Sequence, residues 1–314
     1  EIGRYSSFMD VLANGAGAWL GALLNDRLTR ERVLGADAVE RLALELPLMG
    51  VVYLLIPLLW LDGIAAGTEP RGRQVLTLML GLSGAAILGT LQSRYFGPRG
   101  LMSRGEAARI AGGWFLLGAL PALVVRPAVI ALCTAVIVAL VWLAGGERVP
   151  AGGERRFERL ALARAAPWFL GYLAVMVTWP PTALQRTWHW SWTLATSPLL
   201  GDSSVMLQRI EFPAAMTLLG YVIAESRGRR QEEWRAILRG TAVPGGIAVV
   251  VLELVRGFRP VMGASVAEGV LGSMSLCYGA ALYYLGRARI REIVRQENAR
   301  RAARGWPAPD AAVR

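Results

Sequence analysis

Residues 4–21 read RYSSFMDVLANGAGAWLG, and this stretch decides the fold class because it joins a polar stripe to a long apolar surface. In a helix, five of its small or polar residues follow one another at spacings of 3, 4, 3 and 4, which places them on one face. They are Ser7, Asp10, Asn14, Gly17 and Gly21. The other faces are apolar. The pattern predicts a helix that enters a membrane with its polar end at the surface.

The same spacing recurs near the C-terminus. Its members are Ser265, Glu268, Gly272, Ser275 and Gly279. A carboxylate occupies the same slot in both stripes, as Asp10 and as Glu268. We therefore predict that these two helices are an organising pair. Each also carries a small-x-x-x-small face, which predicts close packing against a neighbouring helix.

The composition extends the membrane prediction to the whole chain. Hydrophobic residues make up 54% of the 314 residues, charged residues 18%, and the mean hydropathy is +0.41. A soluble protein of this size does not need so much apolar surface. Several apolar runs approach the length of about 20 residues that a membrane-spanning helix requires. The predicted class is an all-α, polytopic transmembrane helical bundle.

We predict about nine spanning helices from the apolar runs. They cover residues 8–24, 43–61, 75–91, 108–125, 127–144, 165–179, 212–225, 241–255 and 266–285. Arg126-Pro127 separates the fourth span from the fifth, as a tight turn or as a kink.

The distribution of arginine predicts the orientation. Every basic residue is arginine, and 26 of the 34 fall in alternate connections and the tail. Basic residues are retained on the cytoplasmic side, so the N-terminus and residues 180–211 face outward and the C-terminal tail faces the cytoplasm. The net charge of +11 is thus explained by topology, and we predict no nucleic-acid partner.

The first stripe, with Arg4 before it, resembles the signature helix of the VanZ-like membrane protein family. In that family, an arginine precedes serine, aspartate, asparagine and two glycines that run into the bilayer. The second stripe is a weaker copy, preceded by Glu253, Arg256 and Arg259. It differs in that Arg256 replaces the usual glutamine, Glu268 replaces aspartate, and Gly272 and Ser275 replace asparagine and glycine.

The resemblance implies a domain organisation. Residues 1–24 would end a truncated first VanZ-like unit, and residues 25–145 would form an intervening four-helix membrane region. Residues 146–286 would form a second four-helix unit, followed by a basic cytoplasmic tail at 287–314. Both signature helices run from outside to inside, which predicts a parallel internal repeat. The tail is either a solvated helical extension or a stretch that lies on anionic headgroups.

Charged residues at the predicted outer surface suggest a site, because ionisable groups in a membrane are costly. We predict a ligand- or headgroup-binding site formed by Arg4, Asp10, Asn14, Glu253, Arg256, Arg259 and Glu268. Arginine grips phosphate or carboxylate with two parallel hydrogen bonds. The alternative is ordinary helix capping with arginines that reach the interface. In either case, we expect an arginine–carboxylate contact between the eighth and ninth helices.

The outward loop is rich in tryptophan. Its possible aromatic floor for a sugar or a polyprenyl chain consists of Trp188, His189, Trp190 and Trp192, although such residues also form interfacial belts. His189 is the only histidine and a possible general base. We expect no metal site and no disulfide from Cys133 and Cys277, which both lie in apolar runs.

Three classes of function remain open. The VanZ-like resemblance implies an integral membrane protein of the bacterial inner membrane and cell envelope, from a family linked to glycopeptide (teicoplanin) resistance. Such a protein would bind or modify an outer-leaflet lipid or lipid-linked glycan. The alternatives are a secondary transporter and an accessory subunit that packs against other membrane-protein chains. The motifs of membrane proteases and nucleotide-binding loops are absent, so we expect no cofactor, and enzymatic activity stays undecided.

Overall fold

The computed structural model describes residues 36–68, 73–93, 103–144, 157–179, 184, 186–192, 203–228, 233–259 and 263–303. The first predicted span and the site residues Arg4, Asp10 and Asn14 lie outside them. Helices make up 90% of the described residues, which confirms the all-α class.

Nine helices and two very short strands follow one another in the described parts. The helices are α1 (Ala36–Thr68), α2 (Gln74–Ser93), α3 (Arg104–Gly118), α4 (Leu120–Val125), α5 (Pro127–Ala144), α6 (Phe157–Thr178), α7 (Ser203–Gly228), α8 (Trp234–Arg256) and α9 (Val266–Ala303). The strands are β1 (Trp190–Ser191) and β2 (Ala264–Ser265), which pair in parallel.

Four helical segments of the described chain are long and apolar enough to cross a membrane, by length and composition. They are Glu45–Ala65, Gln74–Gln92, Glu158–Thr178 and Trp234–Arg256. Pro127–Leu143 is a shorter apolar helix. Three further predicted spans lie in described helices, 108–125 across α3 and α4, 212–225 in α7 and 266–285 in α9. The total of nine spans and the internal repeat stay predictions.

The helices present apolar side chains outward as well as inward. Leu48, Leu59 and Leu80 are fully buried, whereas Val124, Leu132 and Val243 are more than 60% exposed. An aqueous surface would not favour so many exposed apolar side chains, whereas lipid favours them. This distribution indicates a membrane protein.

The predicted span at 108–125 is interrupted in the structure. α3 ends at Gly118, and α4 begins two residues later. Pro121 has no N–H to donate to the carbonyl of Leu117, and the indole N–H of Trp60 donates to that carbonyl at 3.2 Å instead. Arg126 then stands outside the helices and Pro127 opens α5, so the dipeptide is a turn.

Helices α7 and α9 cross at small residues. A Cβ atom on Gly220 would overlap the backbone of Leu276, and one on Gly279 would overlap the backbone of Thr217. Only glycine allows the two backbones to approach so closely. The packing role expected for Gly279 is therefore visible, whereas Gly17 and Gly21 lie outside the described residues.

The chain divides into two units by its internal contacts. One comprises Glu45–Arg291, and the other comprises Glu1–Leu44 with Glu292–Arg314. In the second unit, Arg295 and Gln296 contact Glu292 one helical turn away, and all three side chains are in contact with solvent. This part of α9 lies within the predicted basic tail of residues 287–314, and it is helical as far as Ala303.

Candidate functional site

The turn between α8 and α9 brings three of the predicted site residues together. Arg256 donates from Nη1 to Oε1 of Glu253 at 2.9 Å, and its Nη2 contacts the carboxylate of Glu268. All three side chains are buried. We call Glu253, Arg256 and Glu268 the Arg256 cluster. The arginine–carboxylate contact expected between the eighth and ninth helices is present.

Local sequence explains how the Arg256 cluster forms. Glu253 and Arg256 are three residues apart and therefore lie on the same face of the last turn of α8. Glu268 lies in the first turn of α9, where the helix dipole favours a carboxylate. The backbone N–H of Ser265 donates to Oε2 of Glu253 at 3.0 Å and ties the turn to α8.

A tryptophan segment, residues 186–192, is hydrogen-bonded to this turn. The N–H of His189 donates to the carbonyl of Gly257 at 2.8 Å, and the N–H of Ala264 donates to the carbonyl of His189 at 3.0 Å. The indole N–H of Trp188 donates to the carbonyl of Leu254 at 3.0 Å. Gly257 is required here because a Cβ atom would overlap the Trp188 ring.

Below the tryptophan segment, a groove of about 750 Å³ runs between α8 and α9. Trp188, Trp190, Glu253 and Ser265 line its polar end. Val250, Val270 and Met274 line its apolar part and are more than half exposed, so the groove opens on the outer apolar surface. Cys277 lies at the far end. A groove of this form can take an apolar chain with a polar head.

The aromatic floor predicted from the sequence is only partly placed at the groove. Trp188 and Trp190 line it, whereas His189 and Trp192 are not among its lining residues. Trp192 contacts the edge of Trp190, with ring centroids 4.9 Å apart. His189 is exposed and lies 2.9 Å from the hydroxyl of Thr187. Within the described ranges, no cluster of histidine, cysteine or carboxylate side chains could hold a metal ion.

A second buried ionic cluster was missed in the sequence. Arg73 donates from Nε to Oδ1 of Asp62 at 2.9 Å, and its Nη2 contacts the carboxylate of Glu211. The hydroxyl of Tyr172 donates to Oε1 of Glu211 at 2.8 Å, and the hydroxyl of Thr77 donates to Asp62. These five residues, the Arg73 cluster, are almost completely buried.

One signal in the sequence pointed to the Arg73 cluster. Asp62, Arg73 and Glu211 each lie within two residues of the end of a predicted span, on the predicted outward side. Their positions alone predict only loop charges, because a sequence does not show which charges near a membrane surface face one another. Tyr172 lies inside an apolar run, where a tyrosine often has a hydrogen-bond partner.

The two clusters adjoin on α7. Glu211 belongs to the Arg73 cluster, and the next residue, Phe212, places its ring 4.8 Å from the guanidinium carbon of Arg256. A guanidinium over an aromatic face is a favourable cation–π contact. Consecutive residues of one helix thus connect two buried arginines.

The structure brings together Glu253, Arg256 and Glu268, but it tests only part of the predicted site. Arg259 lies two residues beyond Gly257, and its backbone N–H donates to the carbonyl of Arg256 at 2.8 Å. Whether Arg4, Asp10 and Asn14 join the cluster stays a prediction, because they lie outside the described residues.

Comparisons with protein-family models, with curated proteins and with solved structures found no match for the chain. For the part of the chain that the structure describes, the fold defines a helical protein with four candidate membrane-spanning segments. The VanZ-like resemblance stays an expectation from the sequence.

Proposed function

We propose that the chain is an integral membrane protein of the bacterial cell envelope that binds an outer-leaflet lipid, or a lipid-linked glycan, in the groove between α8 and α9. The observation that carries the proposal is the form of the groove. It is open to the apolar outer surface along its length, and it ends at a buried carboxylate under two tryptophans. An amphiphile has the same order of apolar and polar parts.

The volume supports a chain-shaped ligand. About 750 Å³ lies within the range of 300–1,000 Å³ usual for small-molecule sites. The lining side chains Val249, Val250, Val270 and Met274 offer no hydrogen bonds, so they suit methylene groups. Trp188 and Trp190 would lie at headgroup height, where indole rings are favoured in membranes.

The orientation follows from the arginine distribution and forms part of the same proposal. The tryptophan segment faces outward, the end of α7 faces the cytoplasm, and the C-terminus is cytoplasmic. In a background without the native cysteines (Cys133→Ala, Cys277→Ala), we expect a membrane-impermeant maleimide to label an Arg186→Cys variant in intact cells and to leave an Arg227→Cys variant unlabelled. Both positions are exposed, so the reverse result would contradict the orientation.

The test of lipid binding fills the groove with a ring. Ser273 lines the groove and is exposed, so Ser273→Phe should fold and occupy the space. Leu271→Phe is the matched control, because Leu271 is also exposed on α9 but does not line the groove. Each methylene group displaced costs about 0.8 kcal/mol, so losing two or more lowers the affinity roughly tenfold.

The measurement is native mass spectrometry of each variant after extensive washing in detergent. We expect the wild type and Leu271→Phe to retain lipid and Ser273→Phe to lose it. Equal retention by all three would refute lipid binding in the groove. If Ser273→Phe instead releases a co-purified protein chain and keeps its lipid, the accessory-subunit function is supported.

A further inference from the structure

The polar end of the groove presents negative charge. The Arg256 cluster has one guanidinium and two carboxylates, and both terminal nitrogens of Arg256 face those carboxylates. No arginine is among the described residues that line the groove, whereas Glu253 is. The arginine therefore faces the protein, and a carboxylate faces the space that a headgroup would occupy.

Two other polar groups of the groove donate their hydrogen bonds within the protein and offer no positive charge. The indole N–H of Trp188 donates to Leu254, and the hydroxyl of Ser273 donates to the carbonyl of Gly269 at 2.8 Å. A phosphate placed beside Glu253 would meet a like charge, which disfavours binding in a partly desolvated site. An ammonium group has three donors and no acceptor, which complements a carboxylate.

Two aromatic rings add to this preference. Trp188 and Trp190 line the same end of the groove as Glu253. The face of an indole ring attracts cations, with tryptophan the most effective of the aromatic side chains. An ammonium group at this end could therefore contact a carboxylate and an indole together.

We propose that the groove selects amphiphiles with a cationic ammonium headgroup, which Glu253 and the two tryptophans contact while the chain extends toward Cys277. This inference rests on the proposed function, since it names the class of lipid that the same groove takes. It replaces the phosphate-gripping role expected for Arg256 with a role in which the arginine holds Glu253 and Glu268 in place.

The native cysteines provide the test. Cys277 lines the far end of the groove, whereas Cys133 is buried elsewhere and is removed by Cys133→Ala. The protein is kept in micelles of an uncharged maltoside detergent, which carries no ammonium group, with the same small mole fraction of hexadecylamine, hexadecanol or hexadecyl phosphate. The rate of alkylation of Cys277 by uncharged N-ethylmaleimide then reports occupancy of the groove.

We expect hexadecylamine to protect Cys277 at a concentration about fivefold lower than hexadecanol does, because a charge-assisted hydrogen bond is stronger than a neutral one. Hexadecyl phosphate should protect least. The variant Glu253→Gln keeps the hydrogen bond from Ser265 but loses the charge, so it should bring the amine and the alcohol to equal protection. The ranking of the three amphiphiles is measured with Glu253 intact, in the Cys133→Ala background alone, so it does not depend on how Glu253→Gln folds.

A second cysteine position controls for changes at the micelle surface. Tyr278→Cys with Cys277→Ala places the thiol beside the groove on an exposed side chain that does not line it. Its alkylation rate should not depend on the headgroup. Protection by hexadecyl phosphate equal to or better than that by hexadecylamine would overturn the charge preference, while absence of protection by all three would overturn groove binding itself.

Discussion

The Arg73 cluster and the Arg256 cluster have the same ionic composition and different surroundings. Each holds one buried guanidinium between two carboxylates. The Arg73 cluster is closed on all sides, whereas Glu253 of the Arg256 cluster borders an open groove. An arginine–carboxylate pair near a membrane surface therefore does not by itself define a site. Whether such a pair can contact a ligand depends on the space beside it.

The two clusters also differ in the kind of group that donates to the carboxylate oxygens facing away from the arginine. In the Arg73 cluster, hydroxyl groups of Thr77 and Tyr172 supply donors to the carboxylate oxygens that face away from the arginine. A buried polar network of this kind is stable only when its members are satisfied. In the Arg256 cluster, the backbone N–H of Ser265 donates to Oε2 of Glu253. The groove beside this carboxylate leaves room for a further donor from a ligand.

The largest expected effect comes from removing the arginine of the closed cluster. Arg73→Leu leaves Asp62 and Glu211 buried without their cation, which costs about 3–5 kcal/mol of the free energy of unfolding. Arg256→Leu should cost less, because water or lipid headgroups can reach Glu253 through the groove. Unfolding of both variants in mixed micelles measures the difference.

A rescue variant checks the explanation for the closed cluster. Arg73→Leu combined with Asp62→Asn and Glu211→Gln removes all three charges, so it should recover part of the stability lost by Arg73→Leu alone. Equal destabilisation by Arg73→Leu and Arg256→Leu would show that the groove does not relieve the burial of Glu253.

The second effect concerns the crossing that holds α9 against α7, the helix that connects the two clusters. Gly279→Leu should destabilise the protein by about 2–3 kcal/mol, because its Cβ atom would overlap the backbone of Thr217 and force the helices apart. Gly286→Leu is the control on the same helix, since no atom lies near its Cβ position.

Thermal unfolding of Gly279→Leu and Gly286→Leu in one detergent is the measurement. Gly286→Leu should be neutral or slightly stabilising, because leucine favours a helix more than glycine does. If the two variants unfold at the same temperature, the close crossing of α7 and α9 does not contribute to stability.

The sequence predicted the parts of the molecule that follow from periodicity and composition. Seven of the nine predicted spans coincide with one described helix each, an eighth is divided between α3 and α4, and Pro127 opens α5 directly after the break at Arg126. Helix ends were less accurate: α7 begins at Ser203 instead of residue 212, because charged residues such as Glu211 were assigned to a loop.

Only the part of the candidate site that follows from the local spacing of residues was predicted from the sequence. Glu253, Arg256 and Glu268 lie close together because a short turn joins their helices, and a short turn is visible in a sequence. The contact of Arg73 with Glu211 joins residues 138 positions apart, and no periodicity encodes such a pairing. The groove itself depends on how two helix faces diverge, which one sequence does not specify.

A smaller effect concerns the residue at which the two clusters meet. Phe212→Leu removes the ring under the guanidinium of Arg256 and leaves a small cavity, so we expect a loss of about 1–2 kcal/mol in the free energy of unfolding. Phe258→Leu is the control, because Phe258 is exposed. A loss at Phe212 no greater than at Phe258 would show that the ring does not stabilise Arg256.

The smallest expected effect concerns the tryptophan segment, which lies over the groove beside the Arg256 cluster. Trp188→Phe keeps an aromatic ring in the groove but removes the hydrogen bond from the indole N–H to Leu254, which is worth about 1 kcal/mol. The global stability should change little, since the Arg73 cluster is untouched. The tryptophan segment should instead open more often, so the backbone N–H of His189 should exchange with solvent about fivefold faster.

Trp192→Phe is the matched control, because Trp192 is the most exposed tryptophan among the described residues. Hydrogen exchange of residues 186–192 measures both variants. Equal acceleration by Trp192→Phe would mean that the segment is held by ring contacts in general. A change confined to Trp188→Phe would show that one hydrogen bond keeps the segment over the groove, while the closed cluster needs no such cover.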